Sequence, residues 1–185
     1  VGNSVIASST RGGTGNHIVE LSEMAFRDFK VNRSFSIVSA AKGTFFHRVD
    51  ITNSTFEEIS GIPFKFDAET DDFGIYNIEY LTIEDSLFSN INGPIASIYR
   101  GGRDESTFGP HATIKDSRFS NIGGDASPLA ILHGVQNIKI ETNRVEAAKP
   151  VRFVITTGIP KTIVSENTAS NGDAYDLVTI EDLRK

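Results

Sequence analysis

The stretch ITNSTFEEISG at residues 51–61 recurs as IEDSLFSNING at 83–93 and as IKDSRFSNIGG at 114–124. Weaker copies are IETNRV at 140–145 and VSENTA at 164–169. The aromatic position of this repeat, with its weaker equivalents, falls at Phe26, Phe56, Phe88, Phe119, Val145 and Ala169. Successive copies are therefore 30, 32, 31, 26 and 24 residues apart. Self-similarity at such a period predicts a solenoid of stacked repeats.

A second marker, a proline followed by an apolar residue, runs in parallel with the first. It occurs at Pro63-Phe64, Pro94-Ile95, Pro128-Leu129 and Pro150-Val151. Proline is tolerated at the first residue of a strand, where its missing N–H costs no ladder hydrogen bond. Each repeat therefore reads as a strand, a tight turn, a second strand and a loop of variable length.

The composition favours strands throughout the chain. Isoleucine and valine together number 33, phenylalanine 13 and leucine only 7. Branched and aromatic residues favour pleated strands, whereas a leucine-rich repeat would need more leucine and a propeller blade would be longer. We predict an all-β, right-handed parallel β-helix of about six or seven coils, with residues 1–185 forming a single β-helix domain.

Identical positions of successive coils should stack at about the 4.8 Å strand spacing. Phe56, Phe88 and Phe119 are then expected to form an internal aromatic stack. A polar ladder is expected at the turn, formed by Ser54, Ser86, Ser117, Asn143 and Asn167. Asn3 to Ile6 already resembles a coil in progress, so we expect further coils before Val1, and an uncapped coil edge favours an N-terminal partner domain or a homodimer.

Charge and composition exclude several functional classes. A net charge of −6 and the absence of cysteine argue against a general nucleic-acid binder and remove disulfides and thiolate chemistry. No apolar run approaches the length of a membrane span, so we expect no membrane partner.

The segment at 98–111 combines glycine hinges with arginines, acids, aromatics and a histidine. Arg100 and Arg103 could bind sugar carboxylates, and Tyr99 or Phe108 could stack on a sugar ring. A loop held to the solenoid by ion pairs is the alternative interpretation.

Counting from each proline places Ala68, Tyr99, His133 and Ile155 at equivalent positions.

Tyr99 and His133 are thus expected on adjacent coils, where they could act as acid and base in an elimination reaction, or simply pack together. The predicted substrate-binding residues are Tyr99, Arg100, Arg103, His111 and His133. Four acids lie close together in the sequence: Asp67, Glu69, Asp71 and Asp72. They could bind calcium or act as a glycosidase pair. The simpler interpretation is an exposed acidic loop.

The coil repeats, with YRGG at 99–102 and DESTFGP at 104–110, resemble the C-terminal β-helix domain of two-domain alginate lyases of the chondroitinase B-like family. The resemblance implies a secreted or periplasmic parent enzyme that cleaves uronate polysaccharides by β-elimination. It also implies that the catalytic site lies in an N-terminal domain, with a lysine base, an arginine acid and often calcium. Such a site makes physical sense, because the enediolate dianion needs a cation already in place.

This chain departs from the catalytic pattern of that family. In IASIYR at 95–100, Tyr99 stands where the lysine would be, and in LAILHG at 129–134, Leu132 stands where the arginine would be. The resemblance therefore implies an accessory, non-catalytic domain without a cofactor of its own, whose partners are its N-terminal catalytic domain and alginate. The alternatives are a lyase that uses Tyr99 and His133, or a purely structural β-helix of an adhesin or phage spike.

Overall fold

A computed structural model of the chain describes residues 3–8, 17–29, 35–70, 74–100, 109–123, 128–146, 154–157, 161–174 and 178–181. Within these ranges the regular structure consists of β-strands, and no helix is long and apolar enough to cross a membrane. The strands form one seven-stranded and two six-stranded sheets, here named A, B and C in the order in which the chain visits them.

Sheet A contains β1 (Asn3–Ser8), β4 (Phe35–Ala40), β7 (Phe64–Phe66), β10 (Ala96–Tyr99), β13 (Ala130–His133), β16 (Val154–Thr157) and β19 (Val178–Glu181). Sheet B contains β2 (His17–Ser22), β5 (Phe46–Thr52), β8 (Ile78–Glu84), β11 (His111–Lys115), β14 (Asn137–Glu141) and β17 (Lys161–Ser165). Sheet C contains β3 (Ala25–Arg27), β6 (Thr55–Ile59), β9 (Leu87–Ile91), β12 (Arg118–Ile122), β15 (Arg144–Glu146) and β18 (Thr168–Ala169).

Consecutive strands always belong to different sheets, and each strand pairs in parallel with the strand three places further along the chain. This connectivity is that of a parallel β-helix, which confirms the fold predicted from the repeat. The repeated stretch spans the end of a sheet B strand, the turn and the following sheet C strand.

The predicted aromatic stack fills the interior beneath sheet C. The ring centroids of Phe56 and Phe88 are 4.7 Å apart and those of Phe88 and Phe119 are 5.3 Å apart, with the rings nearly parallel. Phe26 extends the stack by one coil, 5.2 Å from Phe56. The side chains of Phe56, Phe88 and Phe119 are fully buried.

The predicted polar ladder lies at the turn between sheets B and C, and all its members are buried. The backbone N–H of Ser54 donates to Ser86 Oγ at 3.2 Å, and that of Ser86 donates to Ser117 Oγ at 3.1 Å. The N–H of Ser117 donates to Asn143 Oδ1 at 3.0 Å, and that of Asn143 to Asn167 Oδ1 at 3.1 Å. The residue before each ladder position has a positive φ, which bends the chain out of the strand.

Candidate functional site

Tyr99 and His133 occupy paired positions on the outer side of sheet A. Their Cα atoms are partners in the β10–β13 ladder, and their rings stack with centroids 4.1 Å apart and an interplanar angle of 19°. The prediction that these two side chains lie on adjacent coils is confirmed. His133 covers one face of the Tyr99 ring, which leaves at most the opposite face for a sugar ring.

Counting from the prolines predicts the wrong aligned residues for the coils on either side of this pair. The aligned Cα positions are Phe64, Ala96, Ala130 and Val154. These lie one, two, two and four residues after their respective prolines, because the connections into the strands differ in length. Thr157 therefore pairs with His133, whereas Ile155 pairs with Ile131.

His133 is fixed by the backbone at the end of β10. Its Nδ1 lies 3.1 Å from the carbonyl oxygen of Arg100, and the N–H of Arg100 donates to the carbonyl of His133 at 3.0 Å. Because a carbonyl only accepts, Nδ1 donates, and the neutral ring carries its lone pair on Nε2. Burial lowers the pKa of His133, against the raising effect of the Arg100 hydrogen bond. The imidazole is therefore neutral at neutral pH.

Three further side chains lie beside this pair: Lys65, Asp67 and Ser97. Together with Tyr99 and His133, they form what we call the sheet A face. Phe66 pairs with Ile98, so Asp67 follows level with Tyr99, in place of the predicted Ala68. Ser97 Oγ donates to Asp67 Oδ2 at 3.0 Å, and Lys65 Nζ lies 3.8 Å from Asp67 Oδ1. The sequence signal for Lys65 was the alternation in FKF at 64–66, which turns a lysine outward between two buried phenylalanines.

Leu132, which stands where the resemblance would place the family's arginine, faces the core. Its side chain is 0% exposed and its Cα pairs with that of Ile98, whose side chain is also buried in the core. Side chains alternate along a strand, so the residue of β13 that faces outward beside Tyr99 is His133.

Arg100 is a buried arginine rather than a surface one, with 3% of its area exposed. Its Nη1 donates to the carbonyl of Gly109 at 2.8 Å, and its Cζ lies 5.3 Å from the ring centroid of Tyr76. The Tyr76 hydroxyl donates to Glu79 Oε2 at 2.6 Å, and burial together with Glu79 raises the pKa of Tyr76. These contacts tie the end of β10 to the start of β11.

Gly134 is required immediately after His133. Its φ is +69°, and a Cβ at this position would collide with the carbonyl oxygen of Arg100. Glycine therefore allows the close approach of the two backbones that positions the His133 ring.

His111 lies on sheet B, not beside Tyr99. Its ring stacks on Tyr80 with centroids 4.8 Å apart, and its Nδ1 lies 2.7 Å from Asn137 Nδ2. The structure thus divides the predicted contact residues between two faces, with Arg100 buried between them. Arg103 and Phe108 lie outside the described residues.

The residues of the predicted acidic loop do not form one exposed cluster in the described part of the chain. Glu69 is 2% exposed and accepts the N–H of Gly43, and Asn77 Nδ2 approaches the same oxygen at 3.5 Å. Glu69 therefore fastens two turns together instead of lying in an exposed loop. Asp71 and Asp72 lie outside the described residues. Among the residues that the structure does describe, no three histidine, aspartate or glutamate side chains converge on a point where a metal could bind.

Comparison with known proteins shows a similarity to an alginate lyase. No protein-family model matches the chain, and no curated protein matches it either. Two solved structures of the PL6 family alginate lyase AlyGC do match. The TM-score is 0.74 for a point mutant of AlyGC and 0.72 for AlyGC itself. Each is 30% identical in sequence and aligns with 98% of this chain but only 27% of the lyase chain. The chain is therefore similar, over nearly its whole length, to about a quarter of an alginate lyase.

Proposed function

We propose that this chain is an accessory, non-catalytic β-helix domain of a secreted or periplasmic alginate lyase, which depolymerises uronate polysaccharide through its N-terminal catalytic domain. In this proposal the sheet A face contacts the polysaccharide. The proposal is supported by the similarity to AlyGC over 98% of the chain. The observation that carries it is the stacked Tyr99–His133 pair, which turns two polar ring edges outward from adjacent coils.

The charges of the sheet A face argue for binding without elimination. Removing the proton α to a carboxylate builds an enediolate dianion that needs a positioned cation. Lys65 lies beside Asp67, so its charge is balanced, and Arg100 is buried against Gly109 and Tyr76.

One observation favours a second candidate function, a lyase that acts through Tyr99 and His133. The lowered pKa of His133 keeps its imidazole neutral, which a general base requires, and Tyr99 stacks directly on it.

Elimination by the isolated chain separates these two candidates. The reaction leaves an unsaturated uronate that absorbs in the ultraviolet, so turnover can be followed directly. We expect no rise in absorbance on poly-mannuronate, poly-guluronate or a dermatan-type glycosaminoglycan, with or without calcium. Turnover that is abolished by both Tyr99→Phe and His133→Ala would replace the accessory function with the second candidate.

Binding tests the accessory function itself. We expect the chain to bind mannuronate oligosaccharides, and Tyr99→Phe to weaken that binding by about three- to tenfold, the range for one lost hydrogen bond. The ring stacking survives this change, so the fold is preserved. Thr113→Val, on the outer side of sheet B, is the matched control and should leave the affinity unchanged. Equal affinity of Tyr99→Phe and the unmodified chain, in calorimetry, would contradict the role given to the sheet A face.

A further inference from the structure

We propose that the outer side of sheet B carries a second binding surface for an anionic polysaccharide strand. This surface, here called the axial row, consists of Arg48, Tyr80, His111, Asn137 and Lys161. The class of ligand rests on the proposed function, whereas the location of the surface rests on the geometry of sheet B alone.

The register of sheet B aligns these five residues along the solenoid axis. Arg48 pairs with Tyr80, Tyr80 with His111, His111 with Asn137, and Asn137 with Lys161. At the strand spacing of about 4.8 Å, the row spans about 19 Å. An extended polymer lying parallel to the axis could therefore contact every member.

Contacts between neighbours hold the middle of the row in place. The Arg48 Cζ lies 6.0 Å from the centroid of Tyr80, whose ring stacks on His111 with an interplanar angle of 9°. Asn137 Nδ2 lies 2.7 Å from His111 Nδ1, so Nδ1 accepts and the neutral ring carries its proton on Nε2. The N–H of Nε2 then lies near the Glu79 carboxylate, with Glu79 Oε1 at 3.8 Å.

The row is accessible from solvent. The Arg48 side chain is 50% exposed and Tyr80 is 37% exposed, and Lys161 is also exposed. The Tyr80 ring contacts His111 and Arg48, and the ring of His47 packs against it with an interplanar angle of 78°. A ligand would therefore meet the Tyr80 hydroxyl rather than a ring face. Recognition would therefore use hydrogen bonds and charge rather than ring stacking.

The axial row has no acid among its own members, whereas the next two rows of sheet B each contain one or more. The neighbouring rows are Asp50–Thr82–Thr113–Lys139–Ile163 and Thr52–Glu84–Lys115–Glu141–Ser165. Their lysines are paired, Lys115 with Glu84 at 3.3 Å and Lys139 with Glu141 at 2.8 Å. The axial row contains two permanent cations, Arg48 and Lys161, and Arg48 is itself paired with Asp50 of the adjacent row.

Two acids border the axial row. Asp50 Oδ2 lies 3.7 Å from Arg48 Nε, and Glu79 Oε1 lies 3.8 Å from His111 Nε2. The Glu79 carboxylate already accepts hydrogen bonds from Tyr76 and from the N–H of Gly109. The positive end groups of the row and the hydroxyl of the half-exposed Tyr80 thus complement a polymer that carries carboxylates and hydroxyls.

A polysaccharide fits this surface better than a nucleic acid. Single-stranded nucleic acids bind through basic grooves and through bases stacked on exposed aromatic faces. Here the Tyr80 ring stacks on His111, and the chain carries a net charge of −6. Uronate sugars instead need donors spaced regularly along a line, which the stacked strands supply.

Paired charge removals test the surface. The probe is a mannuronate hexasaccharide, titrated calorimetrically into the unmodified chain and two double variants at low ionic strength. We expect Arg48→Ser with Lys161→Ser to weaken binding by about tenfold, because two charge-assisted contacts are lost. Lys115→Ser with Lys139→Ser removes the same charge from the same sheet and should change affinity by less than about twofold. Equal losses in the two double variants would overturn the proposal.

The histidines report which face is occupied. In an NMR titration with the same hexasaccharide, the ring signals of His111 and His133 probe the axial row and the sheet A face separately. We expect the His111 signal to shift. Movement of His133 with a stationary His111 overturns the axial row and leaves the proposed function standing, whereas the reverse overturns the role of the sheet A face alone. If neither signal moves, both the axial row and the role given to the sheet A face are wrong.

Discussion

Replacing Phe88 with alanine is expected to lower the free energy of unfolding by about 3 to 5 kcal/mol. Phe88 is fully buried between the rings of Phe56 and Phe119, at 4.7 and 5.3 Å, and Phe64 meets its edge at 6.2 Å. Its neighbours are held by their own strands at the β-helix spacing, so they cannot close the cavity that the ring would leave.

Urea denaturation of the isolated chain measures this loss. Leu87→Ala is the matched control, because Leu87 precedes Phe88 in β9 and its side chain is only partly buried. The control is expected to cost well under half as much. A loss below about 1 kcal/mol for Phe88→Ala would contradict an aromatic stack that supports the core.

Asn143→Ala is expected to lower the free energy of unfolding by about 2 to 4 kcal/mol, because buried polar groups lose their partners. Asn143 Oδ1 accepts the N–H of Ser117 at 3.0 Å, and its Nδ2 donates to the carbonyl of Ile114 and to Asn167 Oδ1, both at 2.9 Å. Alanine provides neither the acceptor nor the donor.

Asn143→Ser is the informative comparison. Serine stands at the same ladder position in the three preceding coils, where its hydroxyl accepts the N–H of the coil before. We expect serine to recover more than half of the stability that alanine loses, as measured by thermal and urea unfolding. If the serine and alanine variants are equally destabilised, the ladder hydrogen bond is not what Asn143 contributes.

The fold could be predicted because its determinants repeat. Phe56, Phe88 and Phe119 recur at one position of each coil, and stacking in register follows directly from parallel pairing. The exact coil-to-coil alignment on sheet A was less accessible, since the residues between each proline and its strand vary in number. Counting from a proline therefore succeeded for Tyr99 and His133, whose connections match, and failed for Ala68 and Ile155.

The site was predictable only where strand alternation applies. Tyr99 and His133 end their strands and face outward, whereas Arg100 is the first residue beyond β10, where alternation no longer sets direction. Its burial depends on Gly109 and Tyr76, which lie on other parts of the chain. His111 is near Tyr99 in sequence but begins a strand of another sheet, so the two residues belong to different faces.

The polar ladder gives the solenoid a rule for changing length. In the described coils, the backbone N–H at one ladder position donates to the side-chain oxygen at the ladder position of the next coil. Each coil therefore provides one acceptor for the coil before it. An inserted coil that brings its own serine or asparagine at this position leaves no ladder N–H without an acceptor. A β-helix of this kind can therefore grow or shrink by whole coils, so that its length along the axis changes in steps of one strand spacing.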